Sequence, residues 1–128
     1  MFFSFLLFLL KISPKKSFTM KTTSSIHVGG RMKFFPSEII FLESDINYTR
    51  LHLADGRLVI VGTTLGKLET RFASFNFFRT NRSHLVNLAY AVIVQSENVY
   101  ALKLPNDKEI SFSRRKKEQF IKTFSPNF

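Results

Sequence analysis

The chain has 128 residues, with 19 Lys and Arg against 9 Asp and Glu, for a formal charge of +10; this length suits one domain with its own core and is short for two. Hydrophobic residues make up 45% and charged residues 22%, which excludes a disordered composition, and the lack of cysteine excludes disulfide scaffolds, thiolate nucleophiles and Cys-ligated metal sites. So basic a chain points first to a polyanion, either nucleic acid or an anionic membrane surface, and second to an acidic protein.

Residues 1–10 are apolar at nine of ten positions and lead into Lys11, Lys15 and Lys16. As a helix they would reach roughly 15 Å, half of a ~30 Å hydrocarbon core, which is too short for a stable membrane span. They lack the positive start and small-residue cleavage site of a signal peptide. Residues 13–25 are mostly Lys, Ser and Thr with one Pro and no acid, and read as a linker or unstructured arm. The expected organisation is an N-terminal arm over 1–25, a domain over 26–124 and a tail over 125–128. Met20 opens more ordinary sequence and is a candidate start, which would make 1–19 an over-extended reading frame.

From Ile26 onward the pattern is mainly β. Ile40-Phe41-Leu42 is a short apolar run. Tyr48-Thr49-Arg50-Leu51-His52-Leu53 alternates, Asp55-Gly56 signals a tight turn, and Leu58-Val59-Ile60-Val61 returns as the second strand of a hairpin. Leu65, Leu68 and Phe72 follow the spacing of a short amphipathic helix, with Thr63 or Thr64 as its N-cap. Ala91-Val92-Ile93-Val94 and Val99-Tyr100-Ala101-Leu102 read as strands joined through Ser96-Glu97-Asn98. Pro105-Asn106-Asp107 turns into Ile110-Ser111-Phe112, and Ser113 caps a last helix over 114–123.

The charge is unevenly spread. Residues 70–96 include Arg71, Arg79 and Arg82 but no acid, and residues 113–128 hold five cations against Glu118 alone. Two acid-poor basic segments at strand junctions point toward phosphate binding, with Ser and Asn beside them as neutral donors. Most of the 16 Phe sit in apolar clusters suited to a core. Tyr48 and Phe112 lie near an arginine and are candidates for stacking on bases.

The segment Phe77-Phe78-Arg79-Thr80-Asn81-Arg82-Ser83-His84-Leu85-Val86-Asn87-Leu88 resembles the central signature of the LytTR-type DNA-binding domain. Further elements fall in that family's order: Ile40-Phe41-Leu42-Glu43-Ser44, Asp55-Gly56, Thr64-Leu65-Gly66-Lys67-Leu68-Glu69, and Ile110-Ser111-Phe112-Ser113-Arg114-Arg115. The resemblance implies small antiparallel β-sheets with one short internal helix and a C-terminal helix. It also implies a transcriptional regulator whose inter-strand loops enter the major groove of double-stranded DNA, with a homodimer on repeated sites. By the same resemblance Thr49, Arg82 and Arg114 are expected at bases, and guanidinium suits guanine O6 and N7. Arg79, Ser83, Arg115 and Lys116 are expected at phosphates. Asn81, where the family usually has His, is expected to contact a base edge or phosphate without pH dependence. Asn87 reads as a structural residue satisfying buried backbone.

About 25 residues precede the domain, too few for a receiver domain, so the input is expected from expression level, a ligand or a separate sensor or regulatory chain. His27, His52 and His84 lie on three elements with no ligand spacing, so no metal is expected. Gly29-Gly30 reads as a turn or bulge rather than a phosphate loop. No cofactor or enzyme activity has positive support, and a cytoplasmic location fits a DNA-binding role. Two other readings use different chemistry: a cationic protein held to a membrane surface by its N-terminal arm, and an RNA-binding module that prefers single strands.

Overall fold

In the computed structural model, which describes residues 24–124, apolar alternation builds a sheet with two buried faces. Its strands are β3 (Ile39–Asp45), β4 (Tyr48–Leu53), β5 (Leu58–Val61), β6 (Phe77–Asn81) and β7 (His84–Asn87), paired antiparallel in the order β5-β4-β3-β7-β6. A hairpin of β1 (Ile26–Gly29) and β2 (Met32–Phe34) stands apart from it. So does a second antiparallel sheet of β8 (Val92–Gln95), β9 (Tyr100–Lys103) and β10 (Glu109–Ser111), in the order β10-β9-β8. Among the described residues, two α-helices complete the fold, α1 (Leu65–Arg71) and α2 (Arg114–Phe124), with one-turn 3-10 helices at Pro36–Glu38 and Leu88–Tyr90. The mainly-β expectation and both helices are seen.

The run Ile40-Phe41-Leu42 is continuous because β3 is covered on both sides. Leu42 and Leu85 join Leu51, Leu53, Leu65, Leu68 and Phe72 in a core beneath α1 and the β1–β2 hairpin. Phe41 and Val86 point the other way, into a core with Ile93, Leu102, Ile110 and Phe120 under the second sheet and α2. A register shift between Ile39 and Phe41 puts Ile39 on the same side as Leu42. Each fully buried side chain of this size contributes about 1.5–3 kcal/mol. The helix starts follow local chemistry: Thr64 Oγ1 accepts the Lys67 amide, and Ser113 Oγ accepts the Lys116 amide, both at 3.4 Å.

Gly29 is a position where only glycine fits. It has φ +130°, and a Cβ there would sit 2.5 Å from Thr63 Oγ1. Asn87 is buried and donates Nδ2 to Pro36 O and Ile39 O at 3.1 and 2.9 Å, while its Oδ1 accepts the Ala89 amide; its role is structural.

Apart from Ser24 and Ser25, the expected arm lies outside the described residues, as does the tail over 125–128. Among the described residues, no helix is long and apolar enough to cross a membrane, and no group of three His, Cys, Asp or Glu is placed to hold a metal ion.

Candidate nucleic-acid interface

The two basic segments are far apart in sequence but adjacent in the fold. The turn after β6 presents Arg82, and the junction after β10 presents Arg114 at the start of α2. The Ser113 amide donates to Thr80 O at 2.9 Å, and Asn81 Nδ2 donates to Ser111 O at 2.8 Å. Together these bonds lock turn to junction and bound an open cleft of about 740 Å³ lined by Arg79, Asn81, Arg82, Ser113, Arg114, Arg115 and Lys116 with Glu69 and Glu118. Six of the eight residues selected from the sequence therefore line one cleft.

Their roles within it differ. Arg82, Arg114 and Arg115 are exposed, and among the described residues none of their guanidinium groups has an ion-pair or hydrogen-bond partner. They are available to an incoming anion. Lys116 is half-buried, with its ammonium 6.0 Å from the centre of the Phe78 ring. It lines the cleft, and its charge stands over the face of that ring.

Arg79 differs from its expected role at a phosphate. It donates Nε to Asn81 O at 3.0 Å, one NH2 group to Arg82 O at 2.7 Å, and the other to Glu69 Oε1 at 2.7 Å. Its side chain is only 17% exposed. With three of its five donors engaged internally, this guanidinium braces the turn. Asn81 is likewise engaged: its Oδ1 accepts the Ser83 amide at 2.8 Å and faces His84 Nδ1 at 3.1 Å.

Thr49 requires correction as a base contact. It is fully buried, and its hydroxyl donates to Thr63 O at 2.6 Å. Strand alternation places it on the inner face with Leu51 and Leu53. The exposed residues next to it are in the 45–48 turn, where Ile46 is 91% and Tyr48 56% exposed. The Ser44 amide donates to Ser83 O at 2.9 Å, so this turn stands beside the Arg82 turn. Phe112 also departs from the stacking expectation, because it packs within a ring cluster of Phe78, Tyr100 and Phe120.

Three features were not visible in the sequence. Glu69 reaches Arg79 from α1. The 45–48 turn extends the row of loop tips. The histidines expected to stand apart are in part gathered: His52 Nε2 lies 3.0 Å from Glu43 Oε1, and His84 Nε2 lies 3.7 Å from Glu43 Oε2. The histidine cluster depends on the pairing of β3 with β4 and β7, and its only local signal was the alternation that put Glu43, His52 and His84 on one sheet face. Burial pushes the Glu43 carboxyl up, but the His52 hydrogen bond with the charges of His52, His84 and Lys108 outweighs it and holds the group below its ordinary value. Burial lowers the His84 imidazole, opposed by Glu43 and reinforced by Lys108 and His52.

A family model described as LytTr DNA-binding domain matches residues 29–125. Among solved structures, a LytTr DNA-binding domain from Bacillus cereus is similar in fold, with a TM-score of 0.64 at 17% identity over 80% of this chain and 95% of that one. No curated protein matches the chain.

Proposed function

The chain belongs to the LytTr DNA-binding domain family, and on that premise we propose that it is a sequence-specific transcriptional regulator reading double-stranded DNA with the loop tips at one end of its main sheet. Arg82 and Arg114 reach base edges in the major groove, where bidentate bonds to guanine supply about 1–3 kcal/mol of discrimination each. Arg115, Lys116 and Ser83 hold phosphates and set register. Arg79 and Asn81 keep the tips in place, and the exposed 45–48 turn takes the position expected of Thr49. Two copies bind repeated sites in the cytoplasm, and the input comes from a separate sensor or regulatory chain.

The observation that carries this reading is the bond from Asn81 Nδ2 to Ser111 O, which fixes two unpaired arginines in one frame. A fixed frame matters because a misplaced guanidinium loses the second bond of the pair. The RNA reading is less well supported, since Phe112, one of its two stacking candidates, is committed to the core. The membrane-surface reading rests on the N-terminal arm, outside the described residues.

The test is affinity selection of the full chain on a randomised duplex library at near-physiological salt. Recovery of one sequence motif is the expected result. Binding with no enriched sequence, or displacement by single-stranded RNA, would overturn the proposal.

A further inference from the structure

Asn81 has three polar neighbours and one orientation that satisfies them. Its Nδ2 donates to Ser111 O and its Oδ1 accepts the Ser83 amide, each at 2.8 Å. Exchanging the two ends of the carboxamide would set donor against donor and acceptor against acceptor. The Oδ1 therefore also faces His84 Nδ1, 3.1 Å away, and that nitrogen must carry a proton. The nitrogen left to titrate is Nε2, which stands 3.7 Å from Glu43 Oε2.

We propose that His84 is a positioning residue for the Arg82 turn, holding the Asn81 carboxamide through Nδ1–H and taking up a proton on Nε2, against Glu43, when a phosphate backbone enters the cleft. The proposal rests on the DNA-binding reading above and adds a regulatory dependence on pH to it.

The surroundings of the imidazole set the sign. Glu43 on β3 faces Nε2 and is shared with His52 and Arg50 on β4, at 3.0 and 4.0 Å. Lys108, in the turn between β9 and β10, adds a like charge. With a side chain only 19% exposed, the ring is held neutral near pH 7 by burial and by Lys108. A polyanion one hydrogen bond away shifts that balance toward the imidazolium. In the charged form both ring nitrogens donate, Nδ1 to Asn81 and Nε2 to Glu43, and the clamp on the turn tightens. Linkage then requires that protons favour DNA binding by the factor with which DNA favours the proton.

The test uses the full chain with its selected duplex at constant ionic strength. Between pH 7.5 and 5.5 the affinity is expected to rise about three- to tenfold, the factor for a half- to one-unit change in proton affinity on binding. His84→Gln should remove that rise, while His27→Gln, outside this cluster, should keep it. Persistence of the full rise in His84→Gln would overturn the proposal. Nitrogen-15 NMR of the unsubstituted, DNA-free chain provides an arm that depends on no variant folding. The expected result is the Nδ1–H tautomer, with the Asn81 carboxamide resonances moving as His84 titrates. An Nε2–H tautomer, or an Asn81 signal indifferent to that titration, would overturn the positioning role. If the chain binds no duplex, the DNA reading and the proton uptake fail together, while the NMR arm still decides the hold on Asn81.

Discussion

Arg79 and Glu69 form an ion pair at 2.7 Å that ties α1 to the turn carrying Arg82. The same guanidinium donates to the carbonyls of Asn81 and Arg82, so one side chain connects a helix, a strand and a loop tip. This arrangement separates residues that hold the interface from residues that meet a ligand, and the two groups respond differently to substitution.

Arg79→Ala should lower folding stability by about 2 kcal/mol, since it removes charge-assisted bonds in a mostly buried setting. It should weaken duplex binding with the salt dependence unchanged. Arg79→Lys should recover little, because an ammonium cannot reproduce the fork. Thermal unfolding and salt titrations measure both effects. A log–log salt slope shallower by about one would place Arg79 at a phosphate instead.

Arg82→Ala and Arg114→Ala should each cost about 1–3 kcal/mol on the selected site, much less on random duplex, and relax preference at particular base pairs. Both residues are exposed and unpaired among the described residues, so stability should change by less than about 0.5 kcal/mol. Equal losses on cognate and random duplex would assign them to the backbone.

Arg115→Ala and Lys116→Ala should weaken all duplexes alike, each making the salt slope shallower by about one. Lys116→Ala should carry an additional small stability loss, because its ammonium lies over the Phe78 ring. An unchanged slope would remove either residue from the contact surface.

Thr49→Val keeps the shape but removes the donor to Thr63 O. The expected loss is about 1 kcal/mol of stability, with base preference unchanged. Relaxed discrimination at a single base pair would return Thr49 to the reading set, and comparison of the selected motifs for the two proteins decides it.

Acidification should destabilise the free protein in two stages. His84 is held below its ordinary value in the folded state, so the unfolded chain binds the proton more readily and stability falls as pH drops below about 6.5. Glu43 is also lowered; its stabilising contribution is present above pH ~4.5 and is lost as pH falls through its folded value. Unfolding midpoints across pH 8 to 3 should show both stages, and His84→Gln should lack the first. A midpoint that rises on acidification from pH 7 to 5 would contradict this assignment.

Much of the fold was legible from neighbouring residues. Asp55-Gly56 marked its turn because the last residue of this three-residue loop has a positive φ, +94° at Gly56, which glycine adopts freely. Thr64 and Ser113 marked helix starts because a side-chain oxygen satisfies an amide that the first turn leaves open. Arg82 and Arg114 stood out because acid-free sequence around them raises the local potential whatever the fold. Thr49 was misread because its exposure depends on which sheet face becomes a core, and one residue of register exchanges those faces.

The sequence by itself thus determined β3, β4, β5, β8, β9 and β10, the caps and where positive charge accumulates, all of which are decided within a few residues of chain. Tertiary structure alone decided that Arg79 braces the Arg82 turn, that Thr49 faces inward, and that Asn81 bridges to Ser111 across 30 residues. Those outcomes depend on strand pairing and on which polar atoms meet once two sheets have packed. A hydrogen bond forms or fails over a few tenths of an ångström, a distance that no local pattern of residues encodes.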